Sequence, residues 1–258
     1  MEAAGKAALI TGARRGIGRG IALALAAEGY AVAANAEVDA SDLAATVAEL
    51  QALGVRAAPV VGDVADIAAH EAMLDAAEAA VGPLTTLVNN AGVGAMARGD
   101  PLDVSAESYD RCQAVNARAV FFLSQAFARR LLARQGDPAQ HYAIINVTSS
   151  NAVAVAMNRA EYAVSKAAAS MVTKSFAVRL GEAGINVYEI QPGVIATDMT
   201  APALADYEAR IAEGFTVTRR VGQVEDVGAV AAALATGRMA YATGQAIAVD
   251  GGLLIPRF

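Results

Sequence analysis

One cysteine, Cys112, and two histidines stand among 258 residues. No intrachain disulfide can form, and a zinc site built from these ligand types is short of donors. Charged residues make up only 18% of the chain, with a formal net charge of −6 and no basic run. That balance argues against nucleic-acid binding as the main activity. No run of about 18 purely apolar residues occurs, so no membrane span is expected. Residues 7–11 already read as strand, which leaves no room for a signal peptide. A cytoplasmic protein is the expectation.

Hydrophobic residues are plentiful at 55%, largely alanine, and supply ample material for a core. Residues 6–10, 30–35, 55–61, 84–88, 141–147, 185–190 and 246–249 read as strands. Residues 19–28, 41–53, 65–81, 105–117, 119–135, 161–182 and 224–236 read as helices. Ser41 is the expected N-cap of the second helix, and residues 136–138 break the fifth. Residues 201–218 have no clean period and are expected to form a mobile helical lid. Strand and helix alternate throughout, which predicts a parallel sheet with helices on both faces. No linker or internal repeat divides the chain, so one domain over residues 1–258 is expected.

Between the first strand and the first helix lies Thr11-Gly12-Ala13-Arg14-Arg15-Gly16-Ile17-Gly18. In a dinucleotide loop Gly12 permits the turn, Gly16 lets backbone approach a pyrophosphate, and Gly18 lets helix pack on strand. The helix N-terminus adds free N–H groups and a positive dipole end. The fold class expected is therefore α/β, a Rossmann-type doubly wound parallel sheet of about seven strands. Ligands of such sheets sit outside the carboxyl ends of the strands. Asp63, Asn89-Asn90-Ala91-Gly92, Thr148-Ser149-Ser150 and Gln191-Pro192-Gly193 all fall at that edge. Tyr162 and Lys166, four residues apart, share one helical face there. Their ordinary pKa values are about 10 and 10.4. An ammonium beside the phenol should pull the tyrosine toward neutrality and make a general acid–base pair.

These motifs together resemble the classical short-chain dehydrogenase/reductase family. They are Thr11-Gly12-x-x-x-Gly16-Ile17-Gly18, Asn89-Asn90-Ala91-Gly92, Asn116, Ser149, Tyr162-x-x-x-Lys166 and Pro192-Gly193, in the family's order. The resemblance implies an oxidoreductase that moves a hydride between a nicotinamide cofactor and a ketone or secondary alcohol. It implies that Tyr162 protonates the carbonyl oxygen or deprotonates the alcohol. Lys166 lowers the Tyr162 pKa and holds the nicotinamide ribose, and Ser149 hydrogen-bonds the reacting oxygen. Asn116 distorts its helix and holds a relay water. Asp63 and Val64 contact the adenine, Asn89, Ala91 and Gly92 line the nucleotide site, and Thr197 binds the carboxamide beyond Pro192, Gly193 and Val194.

Cofactor choice rests on Asn35, Ala36 and Glu37, where the second strand meets the ribose, and on Arg14 and Arg15. Ala36 stands where NAD-dependent members usually carry aspartate, and Arg15 is like NADP-dependent members; Glu37 counts the other way. The reading favours NADP, with NAD as the alternative. The chain is similar to 3-oxoacyl-[acyl-carrier-protein] reductases, and an NAD-dependent polyol or secondary-alcohol dehydrogenase is the rival. A non-catalytic dinucleotide-binding regulator is disfavoured by the intact Asn116, Ser149, Tyr162 and Lys166. Of two arginine positions implied for carrier docking, Arg129 matches and Ala183 does not, which counts against a carrier-protein partner. Arg98 and Arg159 are expected to flank the cleft and to suit an acidic or polyhydroxylated substrate. The resemblance also implies a homotetramer through the fifth and sixth helices.

Overall fold

The computed structural model describes residues 5–134 and 139–257. The chain runs β1 (Ala7–Ile10), α1 (Gly16–Ala27), β2 (Ala31–Ala36), α2 (Ser41–Ala52), β3 (Ala57–Val61), α3 (His70–Val81) and β4 (Thr86–Asn89). It continues with α4 (Ala106–Gln113), α5 (Ala119–Ala133), β5 (Tyr142–Val147), α6 (Ala160–Leu180) and β6 (Ile185–Pro192). It closes with α7 (Leu204–Ala212), α8 (Val224–Ala235) and β7 (Ala246–Val249). The seven strands form one sheet in the order β3-β2-β1-β4-β5-β6-β7. Every neighbouring pair is parallel.

The continuous apolar strands are explained by helices on both faces. Side chains alternate across a strand. Ala8 and Ile10 of β1 therefore join a core with Ile21 and Leu25 of α1, Leu43 and Leu50 of α2, and Val227 and Leu234 of α8. Ala7 and Leu9 join the opposite core, with Leu74 of α3, Leu123 and Phe127 of α5, and Leu180 of α6. α1 lies so close to α8 that a Cβ on Gly228 would meet the Gly20 carbonyl oxygen at 2.8 Å.

The order in which successive strands are added to the sheet reverses between β1 and β4. Such a switch opens a crevice at the strand ends. There the Thr11 N–H donates to the Val88 carbonyl at 3.0 Å.

Several boundaries differ from the sequence reading. The fourth and fifth helices are joined by a π turn, Ala114–Arg118, centred on Asn116. Ala40, not Ser41, is the N-cap of α2, and it makes no side-chain cap. Asp66 caps a short 3₁₀ turn ahead of α3. β6 extends through Pro192, paired with Val249. Residues 201–218 are helical in part, through a 3₁₀ turn and α7. Gln135 and the expected break at 136–138 lie outside the described residues. Among the described residues, no helix is long and apolar enough to cross a membrane.

Candidate active site

The glycine loop is held open by its neighbours. The Thr11 hydroxyl accepts the N–H groups of Asn90 and Ala91, each at 3.0 Å. In return Asn90 Nδ2 donates to the carbonyls of Thr11 and Gly12, at 2.9 and 3.2 Å. The loop after β4 is thereby stitched to the loop after β1. A Cβ on Gly18 would fall 2.2 Å from the Gly12 carbonyl oxygen, and one on Gly12 would fall 2.9 Å from the Ala91 Cα. Gly12 and Gly16 also have positive φ, 63° and 56°, a conformation only glycine adopts freely. Arg15 is the N-cap of α1 and offers no side-chain cap, so the first N–H groups face outward. This bare backbone at a helix N-terminus fits a pyrophosphate.

A cavity of about 800 Å³ opens over the cradle. It is lined by Gly12, Arg14, Arg15, Gly16, Ile17 and Gly18, by Asn35, Ala36 and Glu37, and by Asp63 and Val64. Asn90, Ala91, Gly92, Tyr162, Lys166 and Thr197 also line it. Asn89 is not among them. Its Nδ2 donates to Ser124 Oγ and to Asn146 Oδ1, both at 2.9 Å, so it is a buried tie between β4, β5 and α5. Asn90 is the amide that faces the cavity. Pro192, Gly193 and Val194 line a second, adjoining cavity of about 1120 Å³.

Tyr162 lines both cavities, Lys166 the first and Ser149 the second. Lys166 Nζ donates to the Val147 carbonyl at 3.0 Å and lies 5.8 Å from the Tyr162 ring centre. Burial pulls the Lys166 pKa down to about 8; Glu189 and Cys112 oppose that fall. Burial also pushes the Tyr162 phenol above its ordinary value, against the Ser149 hydroxyl and the Arg159 charge, which lower it. Loss of hydration thus outweighs the pull toward neutrality that the sequence suggested.

Asn116 is fully buried. Its Oδ1 accepts the Val93 N–H at 2.8 Å, and its Nδ2 donates to the Val93 carbonyl and to Ser165 Oγ, each at 2.9 Å. Ser165 Oγ donates to the Tyr162 carbonyl at 2.7 Å. The expected helix distortion is present as the π turn, a feature common at functional sites. Both amide hydrogens are spent on protein, so the Asn116 Nδ2 has none left for a relay water.

Three features escaped the sequence reading. Glu189 is buried inside β6, where its carboxylate accepts from Thr148 Oγ1 at 2.5 Å, Ser170 Oγ at 2.7 Å and Gln191 Nε2 at 2.8 Å. An acid inside an apolar strand was the available signal. Tyr207 and Arg210 of α7 reach the second cavity, brought there by a segment without period. Arg111 lines both cavities. Arg14 and Arg15 carry ion pairs, Arg14 Nε with Asp42 at 3.6 Å and Arg15 Nη1 with Asp198 at 3.1 Å.

Comparison with known proteins agrees with this geometry. A family model described as enoyl-(acyl carrier protein) reductase matches residues 12–254. The chain is 36% identical to the 3β-hydroxysteroid dehydrogenase 1 of Eggerthella lenta, over 98% of this chain and 96% of that one. It is 34% identical to an L-rhamnose 1-dehydrogenase (NAD(P)(+)) of Sphingomonas, over 97% of each. A crystal structure of a 3-oxoacyl-[acyl-carrier protein] reductase from Brucella melitensis in complex with NAD superposes with a TM-score of 0.94. Identity there is 40%, over 98% of this chain and 99% of that one. With the Rossmann-type sheet and the cradle already described, the chain belongs to the short-chain dehydrogenase/reductase family, oxidoreductases that use NAD(P) on a carbonyl or CH–OH group.

Proposed function

We propose that residues 1–258 form one domain that reduces a ketone with NADPH, in the first instance a 3-oxoacyl thioester. The carrying observation is that Tyr162 stands on the wall common to the cradle cavity and the second cavity. A nicotinamide bound in the first cavity supplies the hydride. Ser149 and Tyr162 hold the substrate oxygen, and the Tyr162 phenol, kept protonated by burial, gives it a proton. Lys166 orients the ribose with its ammonium. Asn116 acts as a positioning residue, fixing the first turn of α6 through Ser165. Gly12, Gly16, Gly18 and the α1 N-terminus hold the pyrophosphate, and Asp63 and Val64 the adenine. Asn35, Ala36 and Glu37 border the ribose, and Thr197 reaches the carboxamide.

Arg14 and Arg15 support NADPH, because both line the first cavity beside a neutral Ala36. The second reading is an NAD-dependent polyol or secondary-alcohol dehydrogenase. Glu37, exposed on the same wall, supports it by offering a carboxylate to a ribose diol. Arg129 and Ala183 are both exposed, and the missing second arginine weighs against carrier docking. Cytoplasmic location and a homotetramer complete the reading. Titration with NADPH and NADH, followed by cofactor fluorescence, tests the cofactor. Tighter NADPH binding with 3-oxoacyl thioester reduction is expected; tighter NADH binding with polyol oxidation would put the second reading first.

A further inference from the structure

The second cavity is unusually basic. Arg98, Arg111, Arg159 and Arg210 line it, and among the described residues Asp206 is the one carboxylate on its wall. Among the described residues none of these four arginines has an acidic partner within ion-pair distance. Even with Asp206 set against Arg210, its neighbour one helical turn away, three positive charges are uncompensated.

Arg159 is built into this wall. Its Nε donates to Asn151 Oδ1 at 3.1 Å and its Nη1 to the Tyr207 hydroxyl at 3.3 Å. Both acceptors are neutral, so they fix the guanidinium without cancelling its charge. Nη2 has no protein acceptor among the described residues. Arg210 lies 3.9 Å over the Phe215 ring and 5.9 Å over the Tyr207 ring. Aromatic faces steady a cation and leave its donors available. The two arginines thus converge on Tyr207, in the cavity that Ser149 and Tyr162 also line. Arg159 is also close enough to Tyr162 for its charge to favour the phenolate.

We propose that the substrate carries a carboxylate on the same carbon skeleton as the reacting ketone or alcohol, received by Arg159 and Arg210. The proposal rests on the hydride-transfer reading of this site. It narrows the substrate to an oxo or hydroxy acid, or to an oxoacyl thioester with a second, free carboxylate. The unused Nη2 of Arg159 is a charged donor for a carboxylate oxygen. Asp206 on the same wall disfavours a doubly charged phosphate ester.

The test is calorimetric titration of the full chain, saturated with its preferred nucleotide. The probes are 4-oxopentanoate and 3-hydroxybutanoate, each against its methyl ester, with glycerol 3-phosphate as the phosphate probe. The acids are expected to bind on the order of 10- to 100-fold tighter than the esters, the range of a charge-assisted hydrogen bond. That ratio should fall toward one in Arg159→Gln. Arg210→Gln, a change at an exposed residue, is expected to shrink it without loss of the folded state by thermal melting. Esters binding as tightly as acids, an unchanged ratio in both variants, or tighter glycerol 3-phosphate would each overturn the proposal. Nucleotide absorbance in the same mixtures judges the parent reading separately. Acid-selective binding without turnover upholds the carboxylate site and removes the hydride-transfer reading.

Discussion

A lysine enclosed between β5 and α6 keeps its proton only if something opposes the loss of hydration. For Lys166 the opposing charge is Glu189, held by Thr148, Ser170 and Gln191. Lys166 is charged below its pKa of about 8 and neutral above it. Nucleotide affinity should therefore fall as pH rises through about 8. Glu189→Gln keeps the size and removes the charge, leaving burial less opposed. The fall should then move to lower pH, and Glu189→Asp should move it back. Fluorescence titration across pH reads this; a purely structural role would lower the melting temperature without moving the fall. Tyr162 is pushed the opposite way, toward the neutral phenol. Reduction uses that proton directly, whereas oxidation needs the phenolate and should gain rate as pH rises. Tyr162→Phe keeps the ring and deletes the proton, so kcat should drop by about 10²- to 10⁴-fold, the usual worth of a general acid. Nucleotide binding in that variant should persist, which a fluorescence titration checks.

Elements set these residues in place through very close approaches. α1 and α8 meet at Gly20 and Gly228, where an added Cβ at Gly228 has only 2.8 Å to the Gly20 carbonyl oxygen. Gly228→Val must push α8 away from α1, and overpacking of this kind costs about 1–3 kcal/mol. A lower melting temperature is expected, with weaker nucleotide binding because the N-terminus of α1 frames the cradle. The glycines of residues 12–18 were legible in the sequence because their spacing follows from backbone sterics at a strand–helix turn. Tyr162 and Lys166 were legible because a four-residue spacing is a helical face. Asn89 and Asn90 were not distinguishable: adjacent residues leave a strand on opposite sides, and only the register decides which one meets the cavity. Glu189 was hidden because a buried acid declares its partners only in three dimensions. The arginine cluster was half visible, in Arg98 and Arg159; Arg210 arrives on α7, whose position no local pattern specifies. The π turn was foreshadowed by an asparagine inside a helix and by the helix distortion that the family resemblance implied there.

At the scale of the whole molecule, α6 presents two unlike faces. Ser165, Lys166, Ala169, Thr173 and Leu180 are buried against the sheet and its neighbours. Val164, Met171 and Val178, seven residues apart, are 49%, 59% and 87% exposed. A seven-residue interval returns to nearly the same side of a helix, so these side chains make one apolar stripe. Phe121 and Leu132 of α5 are also exposed. Singly exposed hydrophobics need no explanation, but an aligned set marks a surface for association. A second copy of the chain is the occupant expected, with paired helices burying both stripes. Met171→Glu and Val178→Glu together place two carboxylates in that seam without touching the sheet-facing side. Light scattering should then report a smaller species than the parent protein at the same concentration. Because α6 also carries Tyr162 and Lys166, the dissociated form should lose activity while its secondary structure is retained. A parent protein that scatters as a monomer would remove the association reading, and with it the expected coupling of assembly to the site.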